Sequence, residues 1–197
     1  MKFTARELMY LGAIAAGTLA IGVALGTGLT AATGIPMVGG LLNGLITAAI
    51  LSIGAKGVPK FGTGIILWFV MSTLAVPTLT MGPPGLYKIA VGLISGLVWD
   101  LCFLIFGRKT WGYLLSGSVM MLTVMFGVVG ASVLLGLPAK DQLLKALAFI
   151  LPLNFILGLI GTYLGLKIFD RRVVRIGYVR RMLSESNGLG TPPASAS

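Results

Sequence analysis

Six apolar stretches, each close to the length of a bilayer crossing, leave this chain few ways to fold. They cover residues 8–27, 36–54, 62–79, 87–106, 111–135 and 143–169. A helix needs about 20 mainly apolar residues to cross the hydrocarbon core. The runs are continuously apolar, whereas barrel strands alternate over about ten residues, so helices are predicted. The breaks hold Gly and Pro, the usual helix punctuation: Gly34 and Pro36, Gly57 and Pro59, Gly82 to Gly85, Gly107, and Pro138. Only 10% of the residues are charged, against about 25% in a soluble domain. Such a chain has too few polar groups to cover a soluble surface. The expected fold is all-α, a polytopic membrane protein with a six-transmembrane-helix bundle over residues 1–170. Residues 171–197 form a basic, largely disordered cytoplasmic tail, rich in Ser, Gly, Pro and Ala beyond Arg181. The part from 171 to 181 could form a short helix on the anionic inner leaflet. The first apolar run exceeds the 7–15 residues of a signal-peptide core, which predicts a retained span.

The net charge of +10 raises the question of nucleic acid, and its distribution answers it. With an even number of spans both ends share one side. That side collects Lys2, Arg6, Lys56, Lys60, Arg108, Lys109, Lys167, Arg171, Arg172, Arg175, Arg180 and Arg181, twelve of the fifteen basic residues. The other side holds Lys88, Lys140 and Lys145. Cytoplasmic loops carry the excess of Lys and Arg, so both ends are expected in the cytoplasm of a cell-membrane protein. Nucleic acid is not an expected partner; membrane lipid is.

Several chemistries are absent from the sequence. There is no histidine and a single cysteine, Cys102. Ser-His and Cys-His nucleophiles and His-ligated metals are thereby excluded. No phosphate-binding glycine loop of either common type is present. ATP hydrolysis, if the process needs it, belongs to another chain. No enzyme activity, cofactor or metal is expected, because the outer half of the membrane has no pair of titratable groups for acid-base work.

Four groups of residues stand out. In span 1, Gly12, Ala16, Ala20, Ala24 and Gly28 recur every fourth residue, beside a second row of Thr18, Gly22, Gly26 and Thr30. Residues four apart share a helix face, and small ones let another helix approach closely. The partner is either a neighbouring helix of the same chain or another subunit. In span 4, Lys88, Gly92, Gly96 and Asp100 repeat the spacing. An intramembrane carboxylate should face the bundle interior. A structural Asp100 bonded to backbone or hydroxyl groups is favoured over an ion site, since no second titratable group accompanies it. Asn43 and Asn154 lie within spans and either bond across helices or read a polar solute. Asn154 follows Pro152, which frees a carbonyl, a break tolerated where helices line a cavity. Lastly, residues 78–88 include Thr78, Thr80, Tyr87 and Lys88, and form either a rigid cap over an outward pocket or an ordinary turn.

Six short spans in about 200 residues, both ends inside and no ATPase resemble the substrate-binding S component of energy-coupling factor (ECF) importers. The Ala-x-x-x-Ala pairs Ala16/Ala20 and Ala20/Ala24 resemble the family's span 1 signature. The stretch from Leu86 through Gly92 and Gly96 to Asp100 is similar to the family's fourth span, and Ile35-Pro36 before a Gly-rich second span also fits. The resemblance implies high-affinity binding of a vitamin or other micronutrient from outside. It also implies docking through Gly12, Ala16, Ala20 and Ala24 to a T component that works with two ATPase subunits. Asn43, Thr80, Tyr87, Lys88 and Asn154 are the expected solute ligands. A neutral or anionic solute such as biotin, pantothenate or riboflavin is favoured over thiamine, because a buried cation wants a carboxylate or an aromatic cage. A stand-alone small carrier or channel and a membrane-embedded assembly protein are the alternatives.

Overall fold

The computed structural model describes residues 2–33, 36–136, 140–177 and 179. Among them the chain is all-helical: α1 (Ala5–Thr33), α2 (Pro36–Gly57), α3 (Thr63–Ala75), α4 (Tyr87–Phe106), α5 (Thr110–Leu134) and α6 (Lys140–Arg171), followed by a 3-10 turn at Val173–Arg175. Four helical segments are long and apolar enough to cross a membrane: Ala5–Gly26, Tyr87–Phe106, Thr110–Leu134 and Leu147–Arg175. The other two apolar helical segments, Leu42–Gly57 and Thr63–Ala75, are shorter.

The helices close into a ring in the order α1, α2, α6, α5, α4, α3 and back to α1. Ala15, Ala48, Leu51, Leu67, Trp68, Trp99 and Met120 are among the side chains that fill it. Inside, the Trp68 indole N–H donates to Met120 Sδ at 2.9 Å. Many large apolar side chains point outward instead, including Met9, Leu104, Ile105 and Phe149. A soluble bundle hides such residues; a hydrocarbon solvent accepts them.

One end of the ring is tied by charge. Lys60 reaches the Glu7 carboxylate at 2.7 Å, joining the start of α3 to α1. Lys56 pairs with Asp170 at 2.7 Å, joining α2 to α6. Arg108 donates to the Lys60 carbonyl at 2.8 Å and lies over the Phe103 ring. Glu7 also closes a reciprocal cap on α1: it accepts from the Thr4 N–H at 2.8 Å, while its own N–H donates to the Thr4 hydroxyl oxygen at 3.3 Å. Thr-x-x-Glu before an apolar run is a recognised helix start. Beyond α6 the chain turns back. Val179 is buried against Ile53 and Phe169, so the segment just after Arg171 packs on the bundle. The remainder of the tail lies outside the described residues.

α3 is shorter than the sequence suggests, ending at Ala75 rather than near Leu79. Pro77 has no N–H to offer the Thr73 carbonyl, which accepts from Val76 at 3.3 Å instead. Residues 76–86 then form a turn-rich connection.

Candidate functional site

The four-residue row on α4 is a clamp on α3. At one end, Asp100 is buried and accepts three backbone N–H groups at 3.1 Å each, from Gly62, Gly64 and Ile65. These are donors that the start of a helix leaves unsatisfied. At the other end, the fully buried Lys88 ammonium donates to the carbonyls of Ala75 at 3.0 Å and Thr78 at 2.5 Å. The anion thus sits at the positive end of α3 and the cation at its negative end. Between them the two helices touch backbone to backbone. A methyl built at Gly96 would lie 2.6 Å from the Gly64 carbonyl oxygen and 2.7 Å from Ile65 Cα. One at Gly92 would strike Ser72 and lie 2.9 Å from the Trp68 carbonyl oxygen. Asp100 is thus engaged by backbone groups at the start of α3.

Lys88, named above as a solute ligand, is committed to the end of α3 in this conformation. A solute carboxylate could reach it only by displacing those carbonyls or by using the remaining N–H. Lys88→Met keeps an unbranched side chain, one atom shorter, and removes the donor. It is expected to lower unfolding stability in detergent by about 1.5–3 kcal/mol, the range for hydrogen bonds to a charged group. A thermal melt of the purified variant checks this.

Tyr87 and Thr80 belong to the connection beside Lys88. The Tyr87 hydroxyl lies 3.0 Å from the Met81 carbonyl oxygen and 2.9 Å from that of Pro83, and shares its single proton between them. Thr80 donates its N–H to the Thr78 hydroxyl oxygen at 3.2 Å. The Gly85 N–H closes the loop on the Val76 carbonyl at 3.1 Å. Met81 and Gly82 adopt left-handed φ of 64° and 94°, which for Met81 is sterically unfavourable and needs its surroundings to hold it. The segment is thus a cross-tied turn, with Gly82 facing Val128 of α5.

Asn43 and Asn154 lie elsewhere, on α2 and α6. Asn154 is nearly buried on α6 and donates from Nδ2 to the Ile150 carbonyl at 3.0 Å. The carbonyl that Pro152 leaves without an i−4 donor is that of Ala148, so Asn154 does not fill that gap. On α2, Asn43 accepts from the Thr47 hydroxyl at 3.4 Å and presses its Oδ1 on Gly22 of α1. Gly44, next to Asn43, faces both Asn154 and Met121. The turn and the Asn154 contact are at different heights. Val128 and Met121 mark their levels on α5, seven residues or about 10 Å apart along a helix. Thr80, Tyr87 and Lys88 therefore share one polar group, while Asn43 faces Gly22 of α1 and Asn154 faces Gly44 of α2.

Two surface clefts lie elsewhere. One of about 470 Å³ opens between α5 and α6, walled by Leu122, Phe126, Leu151, Pro152, Phe155 and Ile156. It is apolar, as a lipid-facing groove would be. The other, of about 300 Å³, lies at the charged end and is lined by Lys56, Thr110, Tyr163, Lys167, Asp170 and Arg171. No group of His, Cys, Asp or Glu among the described residues could hold a metal ion.

The small residues of α1 divide cleanly. Thr18 and Gly22 are buried, Thr18 donating to the Ile14 carbonyl at 2.6 Å and Gly22 receiving Asn43. Ala16, Ala20 and Ala24 are exposed, and a methyl built at Gly12 would meet nothing within 4 Å. Thr18 and Gly22 serve the chain's own packing, while Ala16, Ala20 and Ala24 are open. Compared with family models, curated proteins and solved structures, the chain matches none.

Proposed function

We propose that the chain is the substrate-binding S component of an ECF-type importer, with six crossings and both ends in the cytoplasm. In this reading it takes up a vitamin or other micronutrient, docks on a T component and relies on two ATPase subunits for energy. It performs no catalysis itself. The observation that carries the reading is the open row of Ala16, Ala20 and Ala24 beside Thr18 and Gly22, which are already used inside the bundle. With no hydrophobic effect between helices in lipid, close approach over small residues is the main route to association. The ring of six helices and the twelve-to-three bias of basic residues are consistent with it.

Ala16, Ala20 and Ala24 to Leu should block assembly. Recovery with coexpressed T and ATPase subunits is expected to fall about tenfold or more, equivalent to about 1.4 kcal/mol of lost association. The monomer's melting temperature should change little, since none of the three side chains is buried. A triple variant that assembles normally would remove α1 from the interface.

A solute-free assembly protein is the second reading. Its support is that Tyr87, Lys88 and Asn154 all bond to backbone carbonyls of the chain itself. A thermal-shift screen of vitamins on the purified protein separates the two. Stabilisation by biotin, pantothenate or riboflavin, weakened in Lys88→Ala and Asn154→Ala, supports the importer subunit. No shift with any vitamin supports the second reading.

A further inference from the structure

We propose that the cleft at the charged end, between α2, α5 and α6, binds the phosphate of an anionic phospholipid. The inference rests on the membrane setting and on this end facing the cytoplasmic leaflet, not on the importer assignment.

Its cations are not equivalent. Lys56 is held by Asp170 at 2.7 Å and forms the back wall. Lys167 and Arg171 are exposed and four residues apart on α6, so they share a face. Lys167 has its ammonium 5.8 Å from the centre of the Tyr163 ring. The Arg171 guanidinium makes no hydrogen bond or ion pair among the described residues. Like charges at this spacing repel, and an anion between them turns that repulsion into attraction. The guanidinium can grip a phosphate through two parallel N–H bonds, and the ammonium adds a compact charge. Thr110 adds a hydroxyl to the wall, and Leu166 supplies an apolar floor.

The surroundings favour lipid over soluble phosphate. Tyr163 is half exposed on the rim, and Trp111, beside Thr110, is 75% exposed. Tyr and Trp concentrate at the level of the headgroups. Their position sets the cleft at the depth where a phosphodiester lies, with the acyl chains running along the apolar flank of α5 and α6. Each basic residue near an anionic leaflet adds to the attraction.

The test uses the full chain, delipidated in detergent, and its melting temperature. Phosphatidylglycerol at ten times its Kd should raise the midpoint by about 3–6 °C. Phosphatidylcholine and millimolar inorganic phosphate should not. The shift should vanish in Lys167→Gln/Arg171→Gln. It should persist in Lys145→Gln, at the opposite end, and in the charge-preserving Lys167→Arg/Arg171→Lys, which also reports whether changes at these positions are tolerated. Equal shifts with phosphatidylcholine, an equal shift with inorganic phosphate, or a full shift in the double Gln variant would each overturn the proposal.

Discussion

Asp100→Ala is expected to cost about 3–5 kcal/mol of stability, the range for breaking a buried, fully engaged charge interaction. The carboxylate is 1% exposed and satisfies three amides of the α3 start. Truncation leaves three N–H groups without this acceptor, that of Gly64 buried and those of Gly62 and Ile65 partly so, and a buried orphan costs about 1–3 kcal/mol. Asp100→Asn keeps one carbonyl oxygen and should fall between Ala and the parent. Denaturant or thermal unfolding of the three proteins in one detergent gives the ranking. If Asn and Ala prove equally mild, the amides find other acceptors and the clamp is not the main support of α3.

Gly96→Val should be comparably severe, about 3 kcal/mol or more, because overpacking is worst where nothing can move aside. The atoms in the way are the Gly64 carbonyl oxygen and Ile65 Cα, both backbone. Separating the helices enough to admit the side chain would also pull Asp100 from the same amides. Gly17→Ala is the control. A methyl there meets nothing within 4 Å, and Ala is about 1 kcal/mol better than Gly inside a helix. It should leave stability unchanged or raise it slightly. Circular dichroism melts of both variants, with expression level as a second readout, distinguish a local clash from a general intolerance of larger side chains.

The sequence carried the helices well and their contacts poorly. The bounds of α4 match the apolar run from Tyr87 to Phe106, because Pro84, Gly85 and Gly107 mark both ends chemically. The end of α3 is not marked by hydropathy, because the apolar run continues through Leu79 while the helix, lacking an N–H at Pro77, does not. The spacing of Lys88, Gly92, Gly96 and Asp100 was visible. That both charges serve one neighbouring helix was not, since periodicity gives a face and not what the face meets. The contact of Asn43 with Gly22 and that of Asn154 with Gly44 were hidden for the same reason. Thr18 and Gly22 of α1 are internal while Ala16, Ala20 and Ala24 are open, a choice between two similar patterns that the positions of the neighbouring helices decide. The pairing of Lys56 with Asp170 spans 114 residues, beyond any local signal.

The shortness of α3 has a consequence for the surrounding lipid. Thirteen helical residues extend about 20 Å, while the hydrocarbon core is about 30 Å thick. In a six-crossing arrangement the connection 76–86 must dip toward the acyl chains, and the side chains of Leu79 and Leu86, 81% and 75% exposed, suit that position. The protein is then thinner along α3 than along α1 or α5. A bilayer meeting such a wedge thins on one flank or the protein leans, each at a modest energetic cost per ångström of mismatch. Lipids with shorter chains would relieve the strain, so the preferred tilt should depend on membrane thickness.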